Sequence, residues 1–320
     1  MKAQRDEFLD KLFEEAVNDT SIILISVDMG APALDRWRSD LPNQFFSAGI
    51  SEQNAINVAS GLASQKKKVF VYMMACWVAR CFEQIRYSCA MSGAKITIIG
   101  NGVGLGYAPA GPAHEPTEDI AYMRSLLGLE IISPASSLQI PSLVEYLLNK
   151  PQLTYVRLER NVPELIDEIV LGKGPLFISN FKGDPYVFHK SIESRKSNVT
   201  IFSSGYMLDR AVKCANKLSD DNLNAQVIDV CKVTSLKKED FENLLDDTDF
   251  VITIEEQTIA GGFGSAILEL LTEIKLIPVL RIGIDNRYIF ENGTRESLLN
   301  ENGLSIETIS TRIKSFTKSI

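Results

Sequence analysis

The chain has 320 residues, of which 45% are hydrophobic and 23% are charged, a composition typical of a folded globular protein with room for two domains. Its formal net charge of −8 provides no basic surface, which argues against a nucleic acid as partner. No apolar run approaches the roughly 20 residues that a membrane span needs, and the charged N-terminus lacks the apolar segment of a secretory signal. We therefore expect a cytoplasmic protein without membrane contact.

Cysteine and histidine usage argues against disulfides and against a metal centre. The sequence contains five cysteines with no C-x-x-C pair, and only two histidines. The cysteines lie in apolar or helical contexts, which predicts free thiols in a reducing compartment. No histidine has a partner at ligand spacing, so no cysteine–histidine metal site is expected.

The first half of the chain alternates apolar runs of strand length with segments of helical periodicity. The predicted strands are 22–27, 69–73, 95–100, 130–133 and 154–158. The predicted helices are 5–17, a helix from 51 onward, 78–91, 117–125 and 138–148. Such alternation predicts an α/β fold with a doubly wound, mostly parallel sheet, which binds its ligand at the carboxyl ends of the strands.

Two connections in this half have no helical or strand periodicity. Residues 28–44 are rich in Gly, Pro and Asp and are expected to form a loop. Residues 101–116 are rich in Gly and Pro and are expected to form either an ordered loop or a flexible lid.

The alternation of predicted strands and helices stops after residue 165 and starts again at Val199. We therefore predict a first domain over 1–165, a connector over 166–198 that could include a short hairpin, and a smaller α/β domain over 199–320.

Glu52 lies in the first turn of the predicted helix that follows the short apolar segment Phe45–Phe46. Acidic residues favour this position because the first N–H groups of a helix are unpaired and its dipole is positive there. The local sequence alone therefore favours an ordinary helix-start charge. We interpret Glu118 and Asp119 in the same way, and Glu255 and Glu256 as structural.

Several common catalytic motifs are absent. The sequence contains no G-x-S-x-G, H-E-x-x-H or G-x-x-x-x-G-K-[ST], the motifs of α/β-hydrolases, zinc proteases and P-loop nucleotidases. The glycines over 100–106 superficially resemble a dinucleotide fingerprint, but prolines follow them instead of a helix.

Four motifs in the first half occur together in one known family. They are GISEQN at 49–54, MMACWVARCFEQIR at 73–86, GPAHEPTEDIAYMRSLLGLEIISPAS at 111–136 and TYVRLER at 154–160. In this order they resemble the pyrimidine-binding domain of transketolases. VITIEEQTIAGGFGSAILELL at 251–271 and GTRESLL at 293–299 resemble the C-terminal domain of the same family. The whole chain is similar to the second chain of a split transketolase.

This resemblance implies chemistry with thiamine diphosphate, a cofactor that carries two-carbon units. The glutamate that matches Glu52 hydrogen-bonds N1′ of the aminopyrimidine and so promotes loss of the thiazolium C2 proton. Trp77 matches an aromatic residue, usually phenylalanine, that packs on the pyrimidine ring. His114 matches a histidine near the reacting carbons, where it contacts substrate and moves a proton.

Four further residues are assigned more loosely. Arg160 matches an arginine that binds the phosphate of the acceptor, a role suited to a bidentate guanidinium. Asp28 matches an acidic residue that faces the cofactor across a subunit interface. Arg80 and Gln84 follow Trp77 at helical spacing and are assigned to the cofactor site, although a solvent-facing Arg80 is almost equally compatible with the sequence.

The glycine-rich segment departs from the family pattern at three positions. Ala110 replaces an aspartate that binds a sugar hydroxyl, and Ala113 replaces the threonine before the histidine. A histidine that contacts the substrate phosphate is replaced around Gly100–Asn101. The resemblance therefore predicts the reaction class better than the substrate, and an acceptor with fewer hydroxyls or without phosphate is compatible with it.

In this family, Mg²⁺ and the diphosphate are held by a GDG motif followed by Asn, which this sequence lacks. The resemblance therefore implies a partner, the N-terminal diphosphate-binding subunit, which holds the Mg²⁺. Isologous pairing would then give an α2β2 heterotetramer with sugar or sugar-phosphate substrates.

Three other functions are compatible with parts of the sequence. The β subunit of a 2-oxoacid dehydrogenase shares the two-domain layout and the glutamate, but matches residues 111–125 poorly. A deoxyxylulose-phosphate synthase is also similar, although it usually carries all its domains in one chain. An inactive paralogue that acts as a scaffold is the third alternative, which the set Glu52, Trp77 and His114 disfavours.

Overall fold

The computed structural model describes residues 2–161, 163–172, 184–192 and 198–320. In these ranges eleven strands form a six-stranded sheet of order β2-β1-β3-β4-β6-β5 and a five-stranded sheet of order β11-β10-β8-β9-β7. The strands are β1 (Ile22–Ser26), β2 (Phe45–Ser47), β3 (Lys68–Met74), β4 (Ile96–Asn101), β5 (Glu130–Ile132), β6 (Thr154–Leu158), β7 (Tyr186–Lys190), β8 (Val199–Ser203), β9 (Ala225–Asp229), β10 (Phe250–Thr258) and β11 (Val279–Ile284).

Helices cover both faces of the sheets. The α-helices are Gln4–Asn18, Ala33–Asp40, Glu52–Ser64, Phe82–Gln84, Asp119–Met123, Ile140–Asn149, Glu164–Gly172, Met207–Ser219, Lys238–Phe241, Phe263–Ile274, Arg295–Leu299 and Ile306–Ser319. The 3₁₀ turns are Ala75–Cys81, Ala108–Ala110, Pro112–His114, Ser137–Gln139 and Glu242–Leu244, and the π-type turns are Ile85–Ala90 and Asn300–Leu304. None of the helices in the described ranges has the length and hydrophobicity to span a bilayer.

The first sheet is parallel throughout, which confirms the predicted α/β fold with a doubly wound sheet. Successive side chains of a strand point to opposite faces, and both faces are buried here. Phe70 and Tyr72 of β3 pack with the helix Gln4–Asn18 in one core. Val71 packs with Ile56 of the helix Glu52–Ser64 in the other core.

The segment 28–44 was expected to be a loop, and this prediction is wrong for residues 33–40. Ala33–Asp40 is a helix whose Trp37 is fully buried and donates its indole N–H to the Leu9 carbonyl at 3.3 Å. The Phe13 ring packs edge-on against Trp37, with the ring centroids 5.6 Å apart. Burial of this one large aromatic side chain stabilises a short helix that local composition disfavours.

The segment 78–91 was expected to be one regular helix. The structure instead has a 3₁₀ turn over Ala75–Cys81, a single α turn and a π-type turn over Ile85–Ala90. Irregular helical turns of this kind are common at functional sites. The apolar residues of the predicted helix face are nevertheless all buried: Val78, Cys81, Ile85 and Cys89.

The predicted connector 166–198 includes parts of two elements in the described ranges. The helix Glu164–Gly172 begins just before it, and β7 pairs antiparallel with β9 at the edge of the second sheet. Residues 173–183 and 193–197 of the connector lie outside the described residues, so the short hairpin expected within it is not tested. The domain boundaries at 165 and 198 therefore stay a prediction.

The two sheets pack together through a shared core. Phe202 and Ile228 of the second sheet belong to the same buried cluster as Val71 and Ile98 of the first. The Thr258 N–H at the end of β10 donates to the Thr117 carbonyl at 2.8 Å. The loop before the helix Asp119–Met123 is thereby held by the second sheet.

A buried charge cluster joins the two domains. Arg295 donates through Nε to Glu256 Oε2 at 2.9 Å, and its Nη2 forms an ion pair with Glu159 Oε2 at 2.9 Å. The Arg295 guanidinium also lies over the Tyr206 ring, with its Cζ 3.5 Å from the ring centroid. Both carboxylates are buried, with 2–3% of each side chain exposed, and the Arg295 side chain is 11% exposed. One arginine therefore compensates two buried carboxylates.

We predict that Arg295→Ala lowers the free energy of unfolding by about 3–5 kcal/mol, because two buried carboxylates lose their counter-charge. Urea denaturation followed by circular dichroism measures this change. Arg124→Ala is the matched control, since Arg124 also joins the domains but pairs with the exposed Glu269. Its cost should stay below about 1 kcal/mol. Equal effects of the two substitutions would contradict a special role for the buried cluster.

Asp229 is a second buried carboxyl, at the end of β9. The Tyr186 hydroxyl donates to its Oδ2 at 3.0 Å, while its Oδ1 has no hydrogen-bond partner among the described residues. Burial raises the pKa of Asp229 from 3.8 to about 7, against the opposing effect of the Tyr186 hydrogen bond. Because the pKa of Asp229 is raised in the folded state, its contribution to stability is fully present below 3.8, the ordinary pKa of an aspartate. This contribution is lost as the pH rises through about 7.

Asp229→Asn should therefore stabilise the protein more at pH 8 than at pH 5, because asparagine stays neutral at both. We expect the gain at pH 8 to be roughly 2–4 kcal/mol and to shrink at pH 5. Urea unfolding at the two pH values measures it. Asp220→Asn, at an exposed position, should follow the wild type at both pH values. A gain that is independent of pH would contradict the assignment.

Candidate active site

The predicted site residues lie around one edge of the first sheet, where its parallel strands end. We call this the carboxyl edge. The turn Ala75–Cys81 follows β3 directly, and the glycine-rich loop follows β4 at Asn101. The Ala75–Cys81 turn contacts both the helix Glu52–Ser64 and the turn Pro112–His114. The fold therefore brings three separate motifs of the sequence together.

Glu52 is the first residue of its helix, as the sequence predicted. Gly49 has a φ of +65°, which lets the chain turn from β2 into this helix, and the Ser51 hydroxyl donates to the Ala48 carbonyl at 2.5 Å. The Glu52 side chain is only 5% exposed, and its Oε2 lies 3.6 Å from Nη1 of Arg80. Its Oε1 is buried without a hydrogen-bond partner among the described residues. A buried carboxylate oxygen without a partner is unusual and marks a place for a donor from a ligand.

Trp77 and His114 lie beside each other. Their ring centroids are 6.4 Å apart with an angle of 59° between the planes. The His114 backbone N–H donates to the Gly111 carbonyl at 2.9 Å, which closes a tight turn, and Gly111 has a φ of +80°. His114 Nδ1 is buried and has no hydrogen-bond partner in the described part of the chain. Two half-buried aromatic rings and an unpaired ring nitrogen therefore face one region of the carboxyl edge.

Three further predicted site residues have different contacts around Glu52: Arg80, Gln84 and Asp28. Arg80 forms the ion pair with Glu52, although its own side chain is 60% exposed. Gln84 has a buried Oε1 without a partner among the described residues. Asp28 lies just beyond β1 with a φ of +42° and is exposed; within the described ranges no hydrogen bond or ion pair joins it to Glu52.

Arg160 lies at the end of β6, beyond the glycine-rich loop. Its guanidinium lies over the Tyr107 ring, with its Cζ 4.7 Å from the ring centroid, and the side chain is exposed. The glycine-rich loop itself is ordered by 3₁₀ turns over Ala108–Ala110 and Pro112–His114. Whether this loop also moves as a lid stays a prediction.

Glu115 is a residue that the sequence reasoning did not select. It follows His114 directly, is buried, and has an Oε1 without a partner among the described residues. Burial, reinforced by the charges of Glu256 and Glu291, raises the pKa of Glu115 to about 7. A carboxyl with this pKa can hold or release a proton near neutral pH. Its position next to the histidine in a Gly- and Pro-rich loop was the signal in the sequence.

Asp119 begins its helix, as predicted, but the interpretation that it is a helix-start charge and no more is wrong. Its carboxylate is fully buried and accepts from Arg157 Nε at 2.7 Å and from the Tyr155 hydroxyl at 2.9 Å. Arg157 Nη1 also donates to the Ser133 hydroxyl at 3.0 Å. This network holds the helix Asp119–Met123, which follows the His114 turn, against β6.

Glu255 and Glu256 have the structural contacts expected from the sequence. Glu255 accepts the backbone N–H groups of Phe263 and Gly264, both at 2.8 Å, at the start of the helix Phe263–Ile274. Glu256 binds Arg295 and packs against Gly104 of the glycine-rich loop. In the described ranges no group of three histidine, cysteine, aspartate or glutamate side chains is arranged to hold a metal ion.

Comparisons with known proteins identify both halves of the chain. Residues 2–163 match the model of the transketolase pyrimidine binding domain, and residues 190–309 match that of the transketolase C-terminal domain. The chain is 31% identical to one of the subunits of the apulose-4-phosphate transketolase of Phocaeicola vulgatus, over 92% of each chain. It is 29% identical to the 6-deoxy-6-sulfo-D-fructose transketolase subunit SqwH of a Clostridium species, over 95% of this chain and 91% of that one.

A solved structure agrees with the sequence matches. A split-gene transketolase, described as an inactive β4 tetramer, superposes with a TM-score of 0.83 at 26% identity, over 98% of both chains. The resemblance stated from the motifs is thereby confirmed. The chain belongs to the transketolase family and carries its pyrimidine-binding and C-terminal domains.

Proposed function

We propose that this chain is the C-terminal subunit of a split, thiamine-diphosphate-dependent transketolase that transfers a two-carbon ketol unit from a ketose to an aldose. The observation that carries the proposal is Glu52, a buried carboxylate with one unpartnered oxygen. Its helix contacts the turn that carries Trp77, and that turn contacts the one that carries His114. The two relatives described above are transketolase subunits of nearly the same length, which favours this reaction over that of a 2-oxoacid dehydrogenase or of a deoxyxylulose-phosphate synthase.

The residues present fit the aminopyrimidine half of thiamine diphosphate. Glu52 Oε1 lacks a donor, and a protonated ring nitrogen would supply one. Trp77 offers an indole face for the pyrimidine ring, and Gln84 Oε1 offers a further acceptor. When bound, thiamine diphosphate supplies a thiazolium carbon that becomes nucleophilic on losing its proton.

The chain's own residues would act on the cofactor's pyrimidine ring and on the substrate. Glu52 holds a proton at the pyrimidine nitrogen, while Arg80 stays near enough to balance its charge. His114 presents an unpaired ring nitrogen to the substrate oxygen, where it stabilises developing charge or moves a proton. Trp77 excludes water from the pyrimidine side.

Arg160 is proposed to bind the anionic end of a substrate. Its exposed guanidinium can form two parallel hydrogen bonds with a phosphate or a sulfonate. The names of the two relatives specify a sugar phosphate and a sulfo-sugar, and both of these compounds are anions. We therefore propose an aldose or ketose with an anionic group at the end remote from the reacting carbon.

The partner subunit is proposed to cover an apolar surface next to Glu52. The surface is formed by four apolar residues that are between 40% and 75% exposed: Phe46, Ile50, Val58 and Tyr87. Phe46 and Ile50 precede the helix Glu52–Ser64, Val58 lies on it, and Tyr87 lies on the turn Ile85–Ala90 that contacts it. Exposed apolar residues in such a group mark interfaces. We assign this surface to the diphosphate-binding subunit, which holds the Mg²⁺, within an α2β2 heterotetramer, because Ile50 and Val58 lie within six residues of Glu52 along the chain.

We predict that Glu52→Gln in the reconstituted complex lowers the transfer rate by at least about 100-fold, because glutamine cannot hold the proton. Exchange of the cofactor's C2 proton for deuterium, followed by NMR, should slow in parallel while cofactor remains bound. Glu83→Gln is the control, since it makes the same change at an exposed glutamate of a nearby segment. Glu83 lies three residues after Arg80, which pairs with Glu52. Unchanged turnover in Glu52→Gln would indicate a scaffold paralogue, and activity with a 2-oxoacid and a lipoyl carrier would indicate a dehydrogenase.

Ile50→Lys should weaken assembly with the diphosphate-binding subunit at least 10-fold, because it places a charge in the apolar surface where Ile50 is 75% exposed. Titration of the tagged partner, followed by size-exclusion chromatography with light scattering, measures it. Leu276→Lys is the matched control: Leu276 is 91% exposed but lies in the second domain, and its substitution should leave assembly unchanged. Loss of assembly in both variants, or in neither, would overturn this placement of the interface.

A further inference from the structure

We propose that Tyr107 is a positioning residue that holds the Arg160 guanidinium in place for an anionic substrate group. This inference rests on the proposed function, since it concerns the anion-binding end of the same site. It extends that function to a residue of the glycine-rich loop that does not itself contact the reacting carbons.

The Tyr107 ring occupies space that a side chain at Gly102 would fill. A Cβ atom on Gly102 would lie 1.9 Å from Tyr107 Cε2 and 2.1 Å from Cδ2, far inside van der Waals contact. Gly102 also has a φ of +76°, a conformation in which glycine is favoured. The ring therefore lies directly against the backbone at the start of the loop and has little freedom to move.

The Tyr107 hydroxyl is fixed to the sheet. Asn101, the last residue of β4, is 1% exposed and donates from Nδ2 to the Tyr107 hydroxyl oxygen at 2.9 Å. The next residue, Gly102, donates its backbone N–H to the Leu158 carbonyl at the end of β6 at 2.9 Å. Tyr107 is thus bonded to the end of β4, and the glycine against which its ring packs is bonded to the end of β6, from which Arg160 extends.

Arg160 lies over this anchored ring without a carboxylate partner in the described part of the chain. Its Cζ is 4.7 Å from the ring centroid, whereas Arg157 and Arg295 are each bound to buried carboxylates. A guanidinium that lies over an aromatic face keeps its N–H edge free for bidentate contact with an anion. The ring also restricts the rotamers of an exposed arginine, which lowers the entropy cost of binding.

The test is anion binding by the reconstituted complex, measured as the dissociation constant of inorganic phosphate by ³¹P NMR, with sulfate titrated as the second anion. Tyr107→Leu should weaken phosphate binding about 5- to 20-fold, through loss of the stacked ring. Tyr107→Phe keeps the ring and should stay within about 3-fold of the wild type. Arg160→Gln should abolish the binding, and Tyr107→Leu should have no further effect in the Arg160→Gln background.

Steady-state kinetics distinguish a positioning role of Tyr107 from a merely structural one. With an anionic acceptor, Tyr107→Leu should raise KM and leave kcat nearly unchanged, while a short neutral aldehyde such as glycolaldehyde should be used as by the wild type. Equal losses with both acceptors would overturn the proposal, as would wild-type phosphate affinity in Tyr107→Leu. Phosphate binding does not depend on turnover, so a complex that transfers no ketol unit but shows this binding pattern would refute the proposed function alone.

Discussion

The contact on which the arrangement of the site most depends is the buried ion pair of Arg295 with Glu256 and Glu159. Arg295 comes from the second domain, Glu256 packs against Gly104 of the glycine-rich loop, and Glu159 precedes Arg160. One guanidinium therefore holds the loop that carries His114 and the strand end that carries Arg160. Burying these charges is costly unless they are paired, so the cluster requires that the two domains pack in one way.

Four of the buried polar atoms without a partner belong to residues of the candidate site. Glu52 Oε1, Gln84 Oε1, His114 Nδ1 and Glu115 Oε1 are all buried and unpaired among the described residues. Each such atom is unfavourable in a protein interior, and a group of them indicates a region organised for a ligand.

Local errors of prediction have a common physical cause. The helix Ala33–Asp40 lies in a segment of unfavourable composition, and it is stabilised by burial of Trp37 against Phe13 and the Leu9 carbonyl. Asp119 looks like an ordinary helix-start charge, yet its partners Tyr155 and Arg157 are contributed by β6, more than thirty residues away. Contacts at this distance along the chain leave no periodic pattern in the sequence.

Local pattern was sufficient to predict the alternation of strands and helices, the parallel sheet and the position of Glu52 at a helix start, because periodicity and turn residues are local properties. Motifs kept in order along the chain were sufficient to predict the family. The position of Tyr107 between Gly102 and Arg160, and the reach of Arg295 to Glu159, are visible only in the folded chain. These contacts arise where separate strands end side by side, and that proximity exists only once the sheets have formed and packed together.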